Sequence, residues 1–549
     1  MVMPTSYPLA SGERLLAQAR PRDWSRPPTF LLVYPHSYGV GMSNLGFQFL
    51  LAQMLSERRE TFDRFFPLAD GHDRLFPSRS SRAAPHSLGL GRPLAEFPVQ
   101  LVSLSFETDQ LHLLRSLRDA GLPLRAAARG EREPLIIAGG SAVSSNPAVA
   151  RVWADAVVIG DGEPVLSSLC DLLADFAAGR LDRRETLSAL QGLPGVLTSN
   201  TGGWSRLRER SVAASLDARP ARTVLVSSRA VFRDSVLVEV TRGCGRGCLF
   251  CLTCYGQRPV RFLSREAFAA LLETDWPPGT TSLGLVGASL ADHPDLARIC
   301  RDLVRRRLPF TTSSLRLDRI SADALEAIAA GSSRTLTFAP EAGSEALRRL
   351  IGKPLSDGTL AAQLAGLAAN FDRDVKLYFM VGLPGETEED IEALRSWFAR
   401  ARDIFRRAGR GSALKIGLSP FVPKPGTPFQ WAPFAGVREL ERKLQILRKA
   451  AGKLSIRLTA ESARASEVEA LLSHGDHTVA EAVIRYVEQE DVAGGAAVFR
   501  RALGLAAGPL ADLRREKAAT AVFPWDDLPP VVPREQLRRR YERARADLD

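Results

Sequence analysis

Apolar residues in this chain come in short unbroken runs, each followed by a stretch in which they recur with helical spacing. Phe30-Leu31-Leu32-Val33-Tyr34 is the first run, and a glycine-bearing turn and a helical pattern over 43–56 follow it. Runs over 99–106, 135–138 and 156–159 repeat the arrangement. Runs without polar alternation predict strands covered on both faces. Strands alternating with helices predict a parallel sheet flanked by helices. From residue 231 the pattern resumes, with six strands predicted: one ending at Arg242, then 282–286, 310–313, 334–338, 375–381 and 414–419. Elsewhere the text is weaker. Residues 1–29 read as an arm with a short helix over 12–20, and 176–230 as a connector with a helix near 183–190. Beyond 454 the chain turns polar and helical, over 461–473, 477–487, 496–505 and 534–549.

A chain of 549 residues exceeds one hydrophobic core and predicts several domains. No window approaches eighteen uninterrupted apolar residues and the first residues lack a charged-then-apolar export pattern, so the expectation is a cytoplasmic protein with no membrane partner. Six cysteines, clustered rather than spread in pairs, fit a reducing compartment. The net charge of +11 points weakly to RNA, because arginine is distributed along the whole chain and runs such as Arg305-Arg306-Arg307 are short.

The chemistry concentrates where the first strand of the second half ends, at Arg242-Gly243-Cys244-Gly245-Arg246-Gly247-Cys248-Leu249-Phe250-Cys251. Glycines let the backbone turn sharply enough for three thiolates to converge. A structural zinc site would ask for a second ligand pair, and no second pair of cysteines exists downstream. Cys170 and Cys300 stand alone in apolar helical patterns and read as small core residues. An iron-sulfur cubane normally takes four cysteines, so three leave one iron for a substrate. Cys254 follows three residues later; it could hold that iron, serve as a nearby thiol, or be a spare loop residue, and the last is the expectation. His36, in Tyr34-Pro35-His36-Ser37-Tyr38-Gly39, reads as a turn residue, and His72 and His86 as parts of a surface loop over 70–93. His474 and His477 read as a solvated helix junction, and Arg538-Arg539-Arg540 as a solvated helix face.

The C-x3-C-x-(aromatic)-C spacing resembles the radical S-adenosylmethionine (SAM) superfamily, with Phe250 in the aromatic place. The resemblance implies that Cys244, Cys248 and Cys251 hold a 4Fe-4S cluster whose open iron chelates SAM, and that an electron from the cluster cleaves SAM to a 5'-deoxyadenosyl radical. It implies a one-electron donor such as flavodoxin or ferredoxin. The six strands are similar to that family's partial barrel, in which strand ends meet the ligand. Arg316 (Ser313-Ser314-Leu315-Arg316) offers a fork for a carboxylate, and Glu341 (Ala339-Pro340-Glu341-Ala342-Gly343) an acceptor for an ammonium or ribose hydroxyls. Both match family segments that contact SAM. Ser289, in Gly287-Ala288-Ser289-Leu290-Ala291-Asp292, and Met380 and Gly382, in Met380-Val381-Gly382-Leu383-Pro384-Gly385, correspond to segments facing the methionine and the adenine. The bland alternative for each is barrel packing or a surface ion pair.

The first half resembles the cobalamin-binding domain that precedes many radical SAM cores, through Tyr38-Gly39-Val40-Gly41-Met42-Ser43-Asn44 and the glycine pairs Gly139-Gly140 and Gly160-Asp161-Gly162. Its cobalt-ligating signature is broken, with Tyr34 in the place of an aspartate, so cobalamin binding stays open. Phe523-Pro524-Trp525-Asp526 also resembles a largely uncharacterised subgroup of these proteins. The expected architecture is α/β. An arm (1–29) leads to a Rossmann-like, cobalamin-binding-like parallel sheet (30–175) and a connector (176–230); a partial (β/α)6 TIM-type radical SAM barrel (231–455) and a small helical region (456–549) follow. The expected function is a radical SAM enzyme, with cobalamin-dependent methyl transfer or C–H functionalisation as its chemistry. The alternatives are a cobalamin-free modifier of RNA or a ribosomal protein, and a non-catalytic iron-sulfur carrier or sensor.

Overall fold

The computed structural model describes residues 7–15, 22–70, 75, 84–200, 203–274, 276–331, 334–489, 499 and 509–547. His72 and most of the helix expected over 496–505 lie outside them. Seventeen strands are described: β1 (Glu13–Leu15), β2 (Phe30–Val33), β3 (Phe62–Phe65), β4 (Val99–Ser103), β5 (Leu135–Gly139), β6 (Ala156–Val158), β7 (Val196–Asn200), β8 (Gly203–Trp204), β9 (Leu225–Ser227), β10 (Ser235–Arg242), β11 (Arg261–Phe262), β12 (Ser282–Gly287), β13 (Phe310–Thr312), β14 (Thr335–Glu341), β15 (Asp374–Val381), β16 (Leu414–Pro420) and β17 (Arg457–Ala460).

The first half is a sheet of order β3-β2-β4-β5-β6-β7-β8, parallel through β6 and antiparallel at β7 and β8. The alternation of side chains along β2 divides it between two cores: Phe30 and Leu32 pack one face, Leu31 and Val33 the other. The second core runs without a break into the barrel, through Val236, Val238 and Val240 of β10. Part of the expected connector therefore belongs to the sheet, as β7.

The second half carries the six expected parallel strands. β10, β12 and β13 lie side by side with β11 antiparallel on the edge, and β14, β15 and β16 form a second parallel set. A parallel bridge from Leu315 to Phe338 joins the two. A seventh strand, β17, pairs parallel to β16. Its residues alternate between exposed and half-buried, so no apolar run announces it.

Two other readings are corrected. The arm is a strand at Glu13–Leu15, antiparallel to β9, where a helix was expected; residues 16–21 are not described. Glu13 is buried because it pairs with Arg64, itself fully buried, at 2.6 Å. His474 is not at a solvated junction, since its ring packs on Trp525 (centroids 5.1 Å apart) and Phe523 (6.1 Å); His477 is exposed. Cys170 and Cys300 are core residues, 1% and 0% exposed.

Candidate active site

β10 ends at Arg242, and the loop that follows is wound tightly. Gly243 has φ +79°, and a Cβ there would stand 2.1 Å from the Gln257 carbonyl oxygen, so only glycine fits. Cys251 donates its N–H to the Cys248 carbonyl (3.2 Å) and Cys254 to that of Cys251 (3.1 Å), after which a short helix runs over Leu252–Gly256. Neighbouring segments hold the loop from outside. Leu249 donates to the Ile351 carbonyl (2.9 Å), Phe429 to that of Leu249 (3.1 Å), and Arg246 pairs with Asp292 beyond β12.

The last helix also reaches this loop. Arg540 donates to the Tyr255 hydroxyl (2.6 Å), which in turn donates to the Gly247 carbonyl (2.9 Å). Arg538 and Arg539 pair with Glu535 on the surface, as a solvated face would, but Arg540 turns inward.

Cys244, Cys248 and Cys254 are buried and Cys251 is half-buried. Cys254 is 1% exposed. Its influence, foremost among several causes, pulls Cys244 down to about 6 and Cys248 to about 7 and lowers Cys251, while Cys254 itself is raised. Lys353 and Arg316 add positive charge beside Cys248. Among the described residues, no three His, Cys, Asp or Glu side chains are grouped as a single metal ion would need.

Two of the predicted strand-end residues, Arg316 and Glu341, stand beside Cys248. Arg316 donates from Nη1 to the Cys248 Sγ (3.5 Å) and pairs with Asp318 (2.9 Å). Glu341 ends β14 with φ +74°, a left-handed conformation costly for a non-glycine residue, at a break in the β14–β15 register. It pairs with Lys353 at 2.9 Å. Sequence reading missed Lys353; a hint was Gly352 before it, whose Cβ would lie 3.0 Å from the Gly247 carbonyl oxygen. Met380 is half-buried near the end of β15. Gly382 (φ +79°) donates its N–H to Glu386 (2.6 Å), and a Cβ there would meet Leu440 at 2.6 Å. Phe250 is half-buried against the core. Ser289 is buried and braces the loop, donating to the Gly243 carbonyl (3.1 Å).

A cavity of about 600 Å³ opens between the two halves. Its floor is the carboxyl end of the first sheet, at Ser103, Gly139-Gly140 and Gly160-Asp161-Gly162-Glu163. Ligands of open parallel sheets bind at that edge. Gly140 (φ +112°) could not carry a side chain, since its Cβ would meet the Leu104 carbonyl oxygen at 2.3 Å. An apolar cleft leads inward between Leu50, Leu101, Ile137 and Leu169, and the opposite wall includes Arg242, Leu252, Tyr255 and Trp525. Arg210, whose pKa burial lowers to about 10, donates to the Ser144 and Pro529 carbonyls (2.9 and 2.8 Å). His36 is not on the wall; its ring faces that of His112, with centroids 6.3 Å apart. Arg242 joins the floor to the barrel through Asp161 (3.1 Å), Glu163 (2.6 Å) and Glu239 (2.6 Å).

Residues 46–198 match the family described as "Radical SAM proteins, N-terminal", and residues 238–398 that described as "Radical SAM superfamily". An uncharacterised protein of Methanocaldococcus jannaschii is 26% identical over 452 residues, covering 82% of this chain and 89% of that one. A tRNA-2-methylthio-N(6)-dimethylallyladenosine synthase of Anaplasma marginale is 27% identical over 38% of this chain and 45% of its own length. The structure of the radical S-adenosylmethionine methyltransferase TsrM of Kitasatospora setae, with cobalamin and a [4Fe-4S] cluster bound, superposes with TM-score 0.46 at 14% identity, over 76% of this chain and 75% of that one.

Proposed function

The chain belongs to the radical SAM superfamily, and from that premise we propose that Cys244, Cys248 and Cys251 hold its 4Fe-4S cluster and that the cavity between the two halves takes cobalamin. The carrying observation is the set of thiols at the end of β10 with Arg316, Lys353 and Glu341 around Cys248. Thiols drawn down by their neighbours supply the thiolates an iron cluster needs. When bound, the cluster supplies the electron that cleaves SAM to a 5'-deoxyadenosyl radical, and cobalamin a methyl carrier.

The chain's own residues bind and orient. Arg316 is placed for the carboxylate of SAM and Glu341 for its ammonium or ribose hydroxyls, with Lys353 fixing the Glu341 carboxylate. The strand end Met380–Gly382 presents backbone to the adenine. Ser289 acts on SAM through the loop it braces. In the cavity, the glycine edge allows close approach, the apolar cleft suits a flat aromatic base, and Arg210 suits a phosphate, the parts of a cobalamin nucleotide tail. Among the described residues lining the cavity there is no histidine, so none of them would offer the corrin an imidazole. The net reaction is methyl transfer to, or functionalisation of, an unactivated C–H position, with electrons from a flavodoxin- or ferredoxin-like donor. No described helix is long and apolar enough to cross a membrane.

The test is anaerobic reconstitution with iron and sulfide, then SAM and dithionite, with mass spectrometry for 5'-deoxyadenosine. Wild type should release it, and a Cys244→Ala/Cys248→Ala/Cys251→Ala protein should lose iron and colour. Retained iron in that variant, or no nucleoside from wild type, overturns the reading. Hydroxocobalamin should remain with the protein through gel filtration as a corrin spectrum; its loss favours cobalamin-free RNA modification, which the +11 charge and the tRNA-enzyme similarity support. RNA binding falling steeply with salt would then be expected.

A further inference from the structure

The interior of the second half-barrel carries a row of like charges that packing does not ask for. One face of β15 meets the helices outside, where the Phe379 ring lies on Phe398 of the helix over Glu388–Arg407 (centroids 6.1 Å apart), so Lys376, Tyr378 and Met380 point the other way, into the barrel. Ile416 and Leu418 of β16 belong to the same outer core, and Leu458 and Ala460 of β17 pack against it. Lys415 and Gly417, like Arg457 and Thr459, therefore face inward as well. The register sets Lys376 opposite Lys415 and Lys415 opposite Arg457. Like charges directly opposite on neighbouring strands destabilise a sheet, and here they meet twice. An interior that only had to be packed would be filled by layers of Val, Ile and Leu. Among the described ion pairs the row has one carboxylate, Asp374 on Lys415. Lys376 donates instead to a neutral group, the Tyr378 hydroxyl (2.7 Å). Gly417 makes room for both: a Cβ there would stand 2.5 Å from the Tyr378 ring and 3.3 Å from the Lys376 side chain. The two thus lean across β16 toward Thr459 and Arg457, which are exposed. Since the Tyr378 oxygen accepts from Lys376, its own proton is left for another acceptor.

We propose that this row seats the phosphate of a small phosphomonoester, the substrate that the barrel holds beneath SAM. Lys376, Lys415 and Arg457 carry three positive charges and Asp374 one negative, which leaves two. A phosphomonoester brings about 1.5 to 2 negative charges at pH 7, where a carboxylate or a phosphodiester brings about one. Its oxygens accept from Lys376, Tyr378 and Arg457 together. Glu461, which continues the inward alternation of β17, donates its N–H to the Leu418 carbonyl (2.9 Å) and so stands level with Ser419, four residues beyond Arg457. At about 3.3 Å per residue, that is about 13 Å from the row. The reacting carbon, near the strand ends where Glu341 and Met380 lie, is then on the order of 10 Å from the phosphate. The anion site rests on the row alone, and its use as a substrate seat rests on the radical SAM reading above.

The experiment is equilibrium dialysis of radiolabelled inorganic phosphate against the full-length protein, reconstituted with iron and sulfide and desalted, at pH 7 and constant ionic strength. Wild type should show a single saturable site. Lys376→Met and Arg457→Met should each raise the phosphate dissociation constant about tenfold or more, the loss of one charge-assisted contact. Arg298→Met, which removes a 68% exposed arginine from a helix outside the barrel, should bind as wild type does. Glycerol phosphate should displace the label at lower concentration than a dinucleotide phosphodiester. Without phosphate, the Lys376 and Arg457 variants should unfold in urea no earlier than wild type, since each relieves a like-charge contact, whereas a merely structural cation would be missed. No saturable phosphate on wild type, the same constant in all four proteins, or displacement by the dinucleotide first overturns the proposal. Arg457 is exposed at the start of an edge strand, so its variant keeps the test open if Lys376→Met does not fold. Dialysis counts phosphate and not nucleoside, so a failed cluster leaves this result readable, and a missing phosphate site leaves the cluster reading intact.

Discussion

Arg242→Met tests whether charge joins the two halves at the cavity. Methionine keeps most of the length and removes the guanidinium, which sits two residues before Cys244 and is 12% exposed. Burial alone would lower the pKa of Arg242, but the hydrogen bonds and charges of Glu239 and Glu163 outweigh it and raise it. Without Arg242, Glu163 and Glu239 lose their cation, while Asp161 keeps Arg261. Removing one partner of a fully buried pair costs about 3–5 kcal/mol. The side chains of this cluster are 12–16% exposed. Solvent screening therefore lowers the expected loss to about 2–3 kcal/mol. The assay is urea unfolding followed by tryptophan fluorescence at pH 7, read as the change in midpoint times the slope. Adding Glu163→Gln removes one stranded carboxylate and should recover about 1 kcal/mol, a coupling a double-mutant cycle isolates. An Arg242→Met protein within about 0.5 kcal/mol of wild type, the range of ordinary surface changes, would refute the argument.

Burial holds His112 and His474 at about 3, far below the ordinary histidine value, so both are neutral when folded and take a proton on unfolding below about pH 6.5. The stability they lend is present above that pH and falls as pH drops toward 3, with a slope of about 1.4 kcal/mol per pH unit for each; His112→Gln/His474→Gln should flatten the stability profile between pH 6 and 4, and an unchanged slope would contradict the burial argument. Glu341→Gln removes the counter-charge of Lys353 and a charged acceptor for SAM, and should raise the SAM dissociation constant roughly tenfold or more; equilibrium dialysis giving the wild-type value would take Glu341 out of the site.

Much of this fold is legible because a strand buried on both faces announces itself locally. Phe30–Val33 and Leu135–Gly139 are apolar runs in the sequence and strands in the structure. The strand Arg457–Ala460 is not legible, since its alternate residues face solvent and its partner lies some forty residues earlier. The cysteine loop is legible by spacing alone, but its surroundings are not. Lys353 is twelve residues from Glu341, and Arg540 stands in a helix whose other arginines meet solvent. Nothing in composition separates the inward arginine from its neighbours.

The contact between Arg540 and Tyr255 spans 285 residues of chain. At a synthesis rate of roughly 5–20 residues per second, Tyr255 leaves the ribosome about 15 to 60 seconds before the arginine that will close over it. For that interval the turn that carries Gly247 and Tyr255 waits without the guanidinium that will bridge them.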